Sequence, residues 1–84
     1  MSAPVPVTLY TRADCPLCED ARALLDALAG ELGFVVEAVD IDADRELRAR
    51  YNYAVPVIAL GGDEVARAPI RPPAVEAALR NRYR

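Results

Sequence analysis

The stretch "VTLYTRADCPLCEDARALL", residues 7–25, decides how this chain is read. It begins inside "VPVTLY" (5–10), a short run rich in β-branched residues that ends in polar ones, as a strand does. Pro4 and Pro6 stand at the start of that run, where a missing backbone N–H is tolerated. From Cys15 the period changes. Ala21, Leu24, Leu25, Leu28 and Leu32 recur at helical spacing. Pro16 suits the first helical position, since its φ is preset and its absent N–H would be unpaired there anyway. Glu19 and Asp20 fall in the first turn, where the helix dipole favours anions. Gly30 and Gly33 bracket the end. A strand is thus followed directly by a helix that starts at the cysteines and runs to about residue 30.

Cys15 and Cys18 are the only cysteines. Their placement matters more than their number. Cys15 falls at the N-cap, where unpaired backbone N–H groups point at its sulfur and the dipole favours negative charge. Both effects stabilise a thiolate, which is the nucleophilic form. Cys18, three residues on, lies in the first turn facing the cap. It can donate to the Cys15 thiolate or attack a mixed disulfide formed on it, so Cys15 attacks and Cys18 resolves. Flanking charges temper the activation. Arg12 and Arg22 favour the thiolate, while Asp14, Glu19 and Asp20 oppose it. The Cys15 pKa is therefore expected nearer the ~7 end than the ~3.5 end of the range spanned by such pairs.

Other roles for the pair fit its chemistry less well. A disulfide across so short a loop adds little to stability and is disfavoured in a reducing cell. A zinc site needs about four ligands, and this chain offers two cysteines and no histidine. A metal or iron–sulfur site would need a second protomer or an added thiol. Two inert core thiols are a third option. A redox dithiol is the reading that also explains the strand–Cys-Pro-x-Cys–helix order.

The rest of the chain extends the same architecture. "FVVEAVDI" (34–41) reads as a second strand, parallel to the first through a right-handed crossover. Asp42 or Asp44 can cap a second helix through Tyr51, with Leu47 and Tyr51 on one face and Asn52 as a left-handed stop. "VPVIAL" (55–60), "GGDE" and "VAR" read as a hairpin whose glycines suit a primed turn. Pro72 and Pro73 open a last helix with Val75, Ala78 and Leu79 inward. The sum is α/β: β-α-β-α-β-β-α, a four-stranded mixed sheet flanked by helices, as a single domain over 1–84.

Composition bounds the function. With 84 residues, 54% hydrophobic and 27% charged, the chain has a globular profile and a small core. A net charge of −3 argues against non-specific nucleic-acid binding. The arginines of the tail "LRNRYR" read as a helix end complementing the dipole. "MSAPVPVTLY" has no basic and apolar signal-peptide segments, and no run is long enough to span a membrane. A monomer in the reducing cytoplasm is expected.

These residues resemble glutaredoxins and their thioredoxin-fold relatives. "VTLYTRADCPLCEDARALL" is similar to the opening of that family, and "VDIDAD" followed by "YNYAVPVIAL" is similar to its middle. The likeness runs from residue 5 to about 65 and is strongest to small bacterial glutaredoxin-like proteins with a C-x-L-C-E site. It implies the thioredoxin-like fold, with Cys15 as nucleophile and Cys18 as resolving thiol. Pro16 matches the proline of the dithiol site, and Leu17 stands where a tyrosine is usual. Arg12 stands where the family has a lysine that contacts the glutathione carboxylate, keeping the charge but not the shape. Val55-Pro56 matches the segment with the cis-proline, whose preceding backbone pairs with the bound thiol peptide.

The likeness stops after residue 65. The glycine-rich turn that binds the γ-glutamyl end of glutathione is replaced by "ARAPIRPPAVEAAL", and Gly61-Gly62 lies in the hairpin instead. "APIRPP" is faintly similar to the loop of redoxins that take electrons from thioredoxin reductase. Arg71 in that loop joins Arg12 and Leu17 as a substrate-binding candidate, while Asp14, Pro16 and Glu19 are expected to tune the thiolate. The expected activity is dithiol–disulfide exchange on protein or small-molecule disulfides, with a potential of roughly −200 to −270 mV. No metal or organic cofactor is required. Glutathione or another small thiol is a candidate co-substrate, and glutathione or thioredoxin reductase the electron source. Two alternatives are an iron–sulfur or metal carrier using Cys15 in a dimer, and a non-catalytic binding module.

Overall fold

The computed structural model describes residues 6–83. Eight elements follow one another: β1 (Val7–Thr11), α1 (Pro16–Leu32), β2 (Val36–Asp40), a 3-10 turn (Ile41–Ala43), α2 (Arg45–Tyr51), β3 (Val57–Leu60), β4 (Asp63–Arg67) and α3 (Pro72–Arg82). The expected order is observed, with the 3-10 turn added before α2. The readings placed on Pro4, Val5 and Arg84 lie outside the described residues.

The strands form one sheet in the order β2-β1-β3-β4. β1 and β2 are parallel, which the α1 crossover requires, and the other pairs are antiparallel. Because side chains alternate along a strand, the sheet has two distinct faces. Val7, Leu9, Ile58 and Leu60 meet Ala21, Leu25 and Leu28 of α1, Phe34, and Val75 and Leu79 of α3. Val57 faces the other way, into a smaller cluster with Ile41 and Tyr51. There the Tyr10 and Tyr51 rings stack with centroids 4.6 Å apart. Every residue of β3 is buried, as a central strand covered on both faces should be.

The ends of elements are set by local chemistry. Gly61 and Gly62 have φ of 59° and 86°, the positive pair a type I′ hairpin needs. The turn is confined to them, because Asp63 already pairs with Leu60; Asp63 and Glu64 of the expected turn are strand. The register then slips between Ile58 and Ala59, leaving Val65 as the extra residue of a bulge. α1 runs past Gly30 and ends at Gly33, whose φ of 84° lets its N–H reach the Ala29 carbonyl at 2.8 Å.

Asp44 caps α2, its carboxylate accepting from the N–H groups of Glu46 and Leu47 at 2.8 and 3.1 Å. Asp42 is not the cap. Asn52 is not a left-handed stop either: its φ is −50°, and its N–H still bonds to Arg48. Its carbonyl and side-chain oxygens are both held by Arg12, which fixes it in the helical conformation. At the C-terminus, Arg80 does more than complement the dipole. It pairs with Glu76 on its own helix and with Glu31 at 2.8 Å, tying α3 to α1.

Candidate functional site

The dithiol sits where β1 gives way to α1. Asp14 takes φ of 55°, a left-handed conformation that aspartate tolerates better than most residues, and turns the chain into the helix. Cys15 is extended at φ −119° and is the N-cap. Its sulfur accepts the N–H of Cys18 at 3.2 Å, while its carbonyl accepts the first helical bond from Glu19 at 3.1 Å. Pro16 occupies the first helical position. The expected cap geometry is therefore observed, with the sulfur itself as the capping acceptor.

Cys15 and Cys18 are joined in a disulfide, with Cα atoms 5.2 Å apart. They differ in exposure. Cys18 is 2% exposed, whereas Cys15 is half-buried. Of the two, Cys15 is the one more open to an incoming molecule. The buried Cys18 can be reached by its neighbour but hardly by a partner.

Two depressions flank this first turn. One, of about 210 Å³, is lined by both cysteines with Arg12, Asp14, Glu19 and Arg22. The other, of about 240 Å³, is lined by Leu17, Asp20, Ala21 and Leu24 of α1, by Pro56, and by Ala68, Pro69, Ile70 and Pro72. So the first-turn candidates divide. Arg12, Asp14 and Glu19 share the dithiol's side; Leu17 and Pro56 share the apolar side. Pro16 is exposed between the cysteines. Val55 and Arg71 line neither depression.

Arg12 is engaged within the chain. Its guanidinium meets the Asp42 carboxylate through Nε at 3.1 Å and Nη2 at 2.7 Å, and Nη1 donates to the Asn52 carbonyl and side-chain oxygens, both at 3.0 Å. The hydrogen-bonded pair raises the Arg12 pKa and lowers that of Asp42. Physically, Arg12 clamps the end of β1 to the 3-10 turn and the end of α2. Arg22 is likewise paired, with Asp26 one turn along α1.

The Val55–Pro56 bond is cis, as the resemblance implies, and the Val55 N–H bonds to Tyr51 at 3.2 Å. Ala68–Pro69 is also cis. The Ala68 N–H reaches the Ala54 carbonyl at 3.3 Å, so the two proline segments are held side by side. Sequence reasoning missed Pro69, Ile70 and Leu24 as parts of the site, and Asp42 and Asn52 as partners of Arg12. Three prolines within residues 69–73 did mark a loop, but not where it would fold back. Arg71 is exposed at the N-cap of α3, where its side chain makes no capping bond. Among the described residues, no cluster of three or more acidic, cysteine or histidine side chains could hold a metal ion. No helix there is long and apolar enough to cross a membrane.

Comparison with known proteins agrees with this geometry. Residues 6–82 match the sequence profile of the glutaredoxin-like domain (DUF836). Protein Ne2328 from Nitrosomonas europaea is 28% identical, with a TM-score of 0.76 covering 93% of this chain and 94% of that one. A structural-genomics target protein from X. campestris is 36% identical, with a TM-score of 0.71 over 89% and 96% of the two chains. A glutaredoxin from Brucella melitensis is 29% identical, with a TM-score of 0.65 over 96% and 84%. The four-stranded mixed sheet with three helices is thus a thioredoxin-like fold.

Proposed function

The chain belongs to the glutaredoxin-like domain family, and from that premise we propose that it is a dithiol–disulfide oxidoreductase. The observation that supports this best is the asymmetry of the pair: Cys15 half-buried at a helix N-cap, Cys18 buried within disulfide reach. In the reduced protein the Cys15 thiolate attacks one sulfur of a substrate disulfide. The substrate S–S bond breaks, a Cys15–substrate mixed disulfide forms, and the departing thiolate takes up a proton. Cys18, deprotonated, then attacks the Cys15 sulfur and expels the second substrate thiolate. Two electrons have passed to the substrate, and Cys15–Cys18 is left as the disulfide.

An external thiol or a reductase returns the pair to thiols, with glutathione and thioredoxin reductase as the candidate donors. The exchange needs no metal or organic cofactor. The reducing cytoplasm suits the cycle, because a dithiol donor must be recharged there. A monomer suffices, since both cysteines come from one chain.

The test is turnover of a small neutral disulfide, such as hydroxyethyl disulfide, with dithiothreitol as reductant. Wild type is expected to exceed the uncatalysed exchange. Cys15→Ser should fall to background, and Cys18→Ser should accumulate a mixed disulfide visible by mass. Full activity in Cys15→Ser would overturn the assignment of roles.

A further inference from the structure

The two flanks of the dithiol together select a class of substrate, an inference that rests on the oxidoreductase reading above. The depression on the Pro56 side is walled by Leu17, Leu24, Pro56, Pro69 and Ile70, and the only charged side chain in its lining is Asp20. Leu17, between the two cysteines, is 60% exposed and continues the apolar wall formed by Leu24, Pro56, Pro69 and Ile70.

The charges around the dithiol are not balanced as the sequence suggests. Arg12 is neutralised by Asp42 and Arg22 by Asp26, both carboxylates outside the dithiol's own turn. Asp14, Glu19 and Asp20 are all exposed, and no side-chain hydrogen bond or ion pair holds any of them among the described residues. Against these three free carboxylates stands Arg71 beside the groove, exposed. The mouth of the site is therefore apolar on one flank and anionic at its rim.

We propose that this site takes a polypeptide disulfide whose cysteine has an apolar residue before it and a basic residue beside it, in preference to glutathione disulfide. The apolar side chain would enter the groove between Leu17 and Ile70, and the cation would face Asp20. Glutathione disulfide, an excess of carboxylates over amines with no large apolar side chain, has nothing to bury there. It also meets charge of its own sign.

The experiment follows single-turnover reduction by the full-length reduced protein. The substrates are symmetric disulfides of Ac-Gly-X-Cys-Z-NH2, with X leucine or glycine and Z lysine or glutamate, beside glutathione disulfide and hydroxyethyl disulfide. Each rate is divided by that of dithiothreitol with the same disulfide, which removes differences in intrinsic reactivity. The leucine–lysine peptide is expected to react at least ~10-fold faster than glutathione disulfide, and the lysine-over-glutamate ratio to be about tenfold at low salt and to shrink at ~0.5 M salt. Asp20→Lys should lower that charge ratio, and Leu17→Ser, an exposed change that leaves the core intact, should cut the leucine-over-glycine ratio. Equal normalised rates across the peptides, or glutathione disulfide as fast as the leucine–lysine peptide, would overturn the proposal while hydroxyethyl disulfide turnover keeps the oxidoreductase reading. Failure to reduce any of these disulfides would overturn both.

Discussion

Two adjacent leucines on α1 should behave oppositely when truncated. Leu25 has no exposed surface and sits amid Val7, Leu9, Ile58 and Leu79 in the main cluster. Leu24 is half-buried, packs at the edge of that cluster and walls the groove. Leu25→Ala removes three carbons at about 0.8 kcal/mol each, or about 2.4 kcal/mol of transfer free energy. A cavity term is added, because neighbours on a sheet and two helices cannot collapse into the gap, and the total reaches about 3–5 kcal/mol. For a domain of this size each kcal/mol moves the midpoint by about 4–8 °C, so a drop of at least ~12 °C is expected. Leu24→Ala should cost about 1 kcal/mol, since solvent and the open groove already border the side chain. Denaturant unfolding with the disulfide intact measures both, and the m-value should stay constant. Activity should part the pair the other way. Leu25→Ala should keep its rate per folded molecule, whereas Leu24→Ala should lose part of its preference for apolar peptides. Equal destabilisation by the two would refute the division of α1 into a core face and a groove face.

Four further outcomes follow from the helices and the clamp. Gly30 lies inside α1 with open space where a Cβ would go, so Gly30→Ala should stabilise by about 0.5–1 kcal/mol. Gly33 has the same open space but a φ of 84°, so Gly33→Ala should destabilise by about 1–2 kcal/mol, both read by thermal unfolding. Asp44→Ala removes the acceptor for two N–H groups of α2 and should cost about 1 kcal/mol, seen as a lower midpoint and earlier exchange of the Glu46 and Leu47 amides. Asp42 has its pKa lowered by the Arg12 hydrogen bond, so the folded state binds that proton more weakly than the unfolded chain does. Its contribution is complete above the ordinary carboxylate value of ~3.9 and is lost as pH falls through the lowered one. Stability measured against pH should therefore show Asp42→Asn weaker than wild type at neutral pH, with the gap closing in acid; a gap independent of pH would discount the ion pair.

What could be read from the chain was what local chemistry decides. α1 announces itself through Pro16, the leucine period and Gly33, and the hairpin through two adjacent glycines that tolerate positive φ. Cys15 at the cap followed from the same signals. Long-range partners were not legible. Arg12 finds Asp42 and Asn52 at separations of 30 and 40 residues, and nothing near Arg12 in sequence points to either. That clamp also explains why Asn52, a residue that commonly ends helices left-handed, stays helical here. The charge balance around the cysteines illustrates the same limit. A count from residue 12 to 22 weighs both arginines against three acids, but folding spends the arginines on carboxylates elsewhere. The loop at Ala68–Ile70 was visible as a loop and invisible as a groove wall, because that role comes from its packing beside the Pro56 segment.

The most direct test of the account is the pH dependence of alkylation of the two thiols in the reduced protein, resolved by mass for each cysteine. The half-buried, N-capping Cys15 should be modified first at every pH. Cys18, at 2% exposure, should react only slowly. Faster modification of Cys18 than of Cys15 would contradict the assignment of nucleophile and resolving thiol on which the proposed chemistry stands.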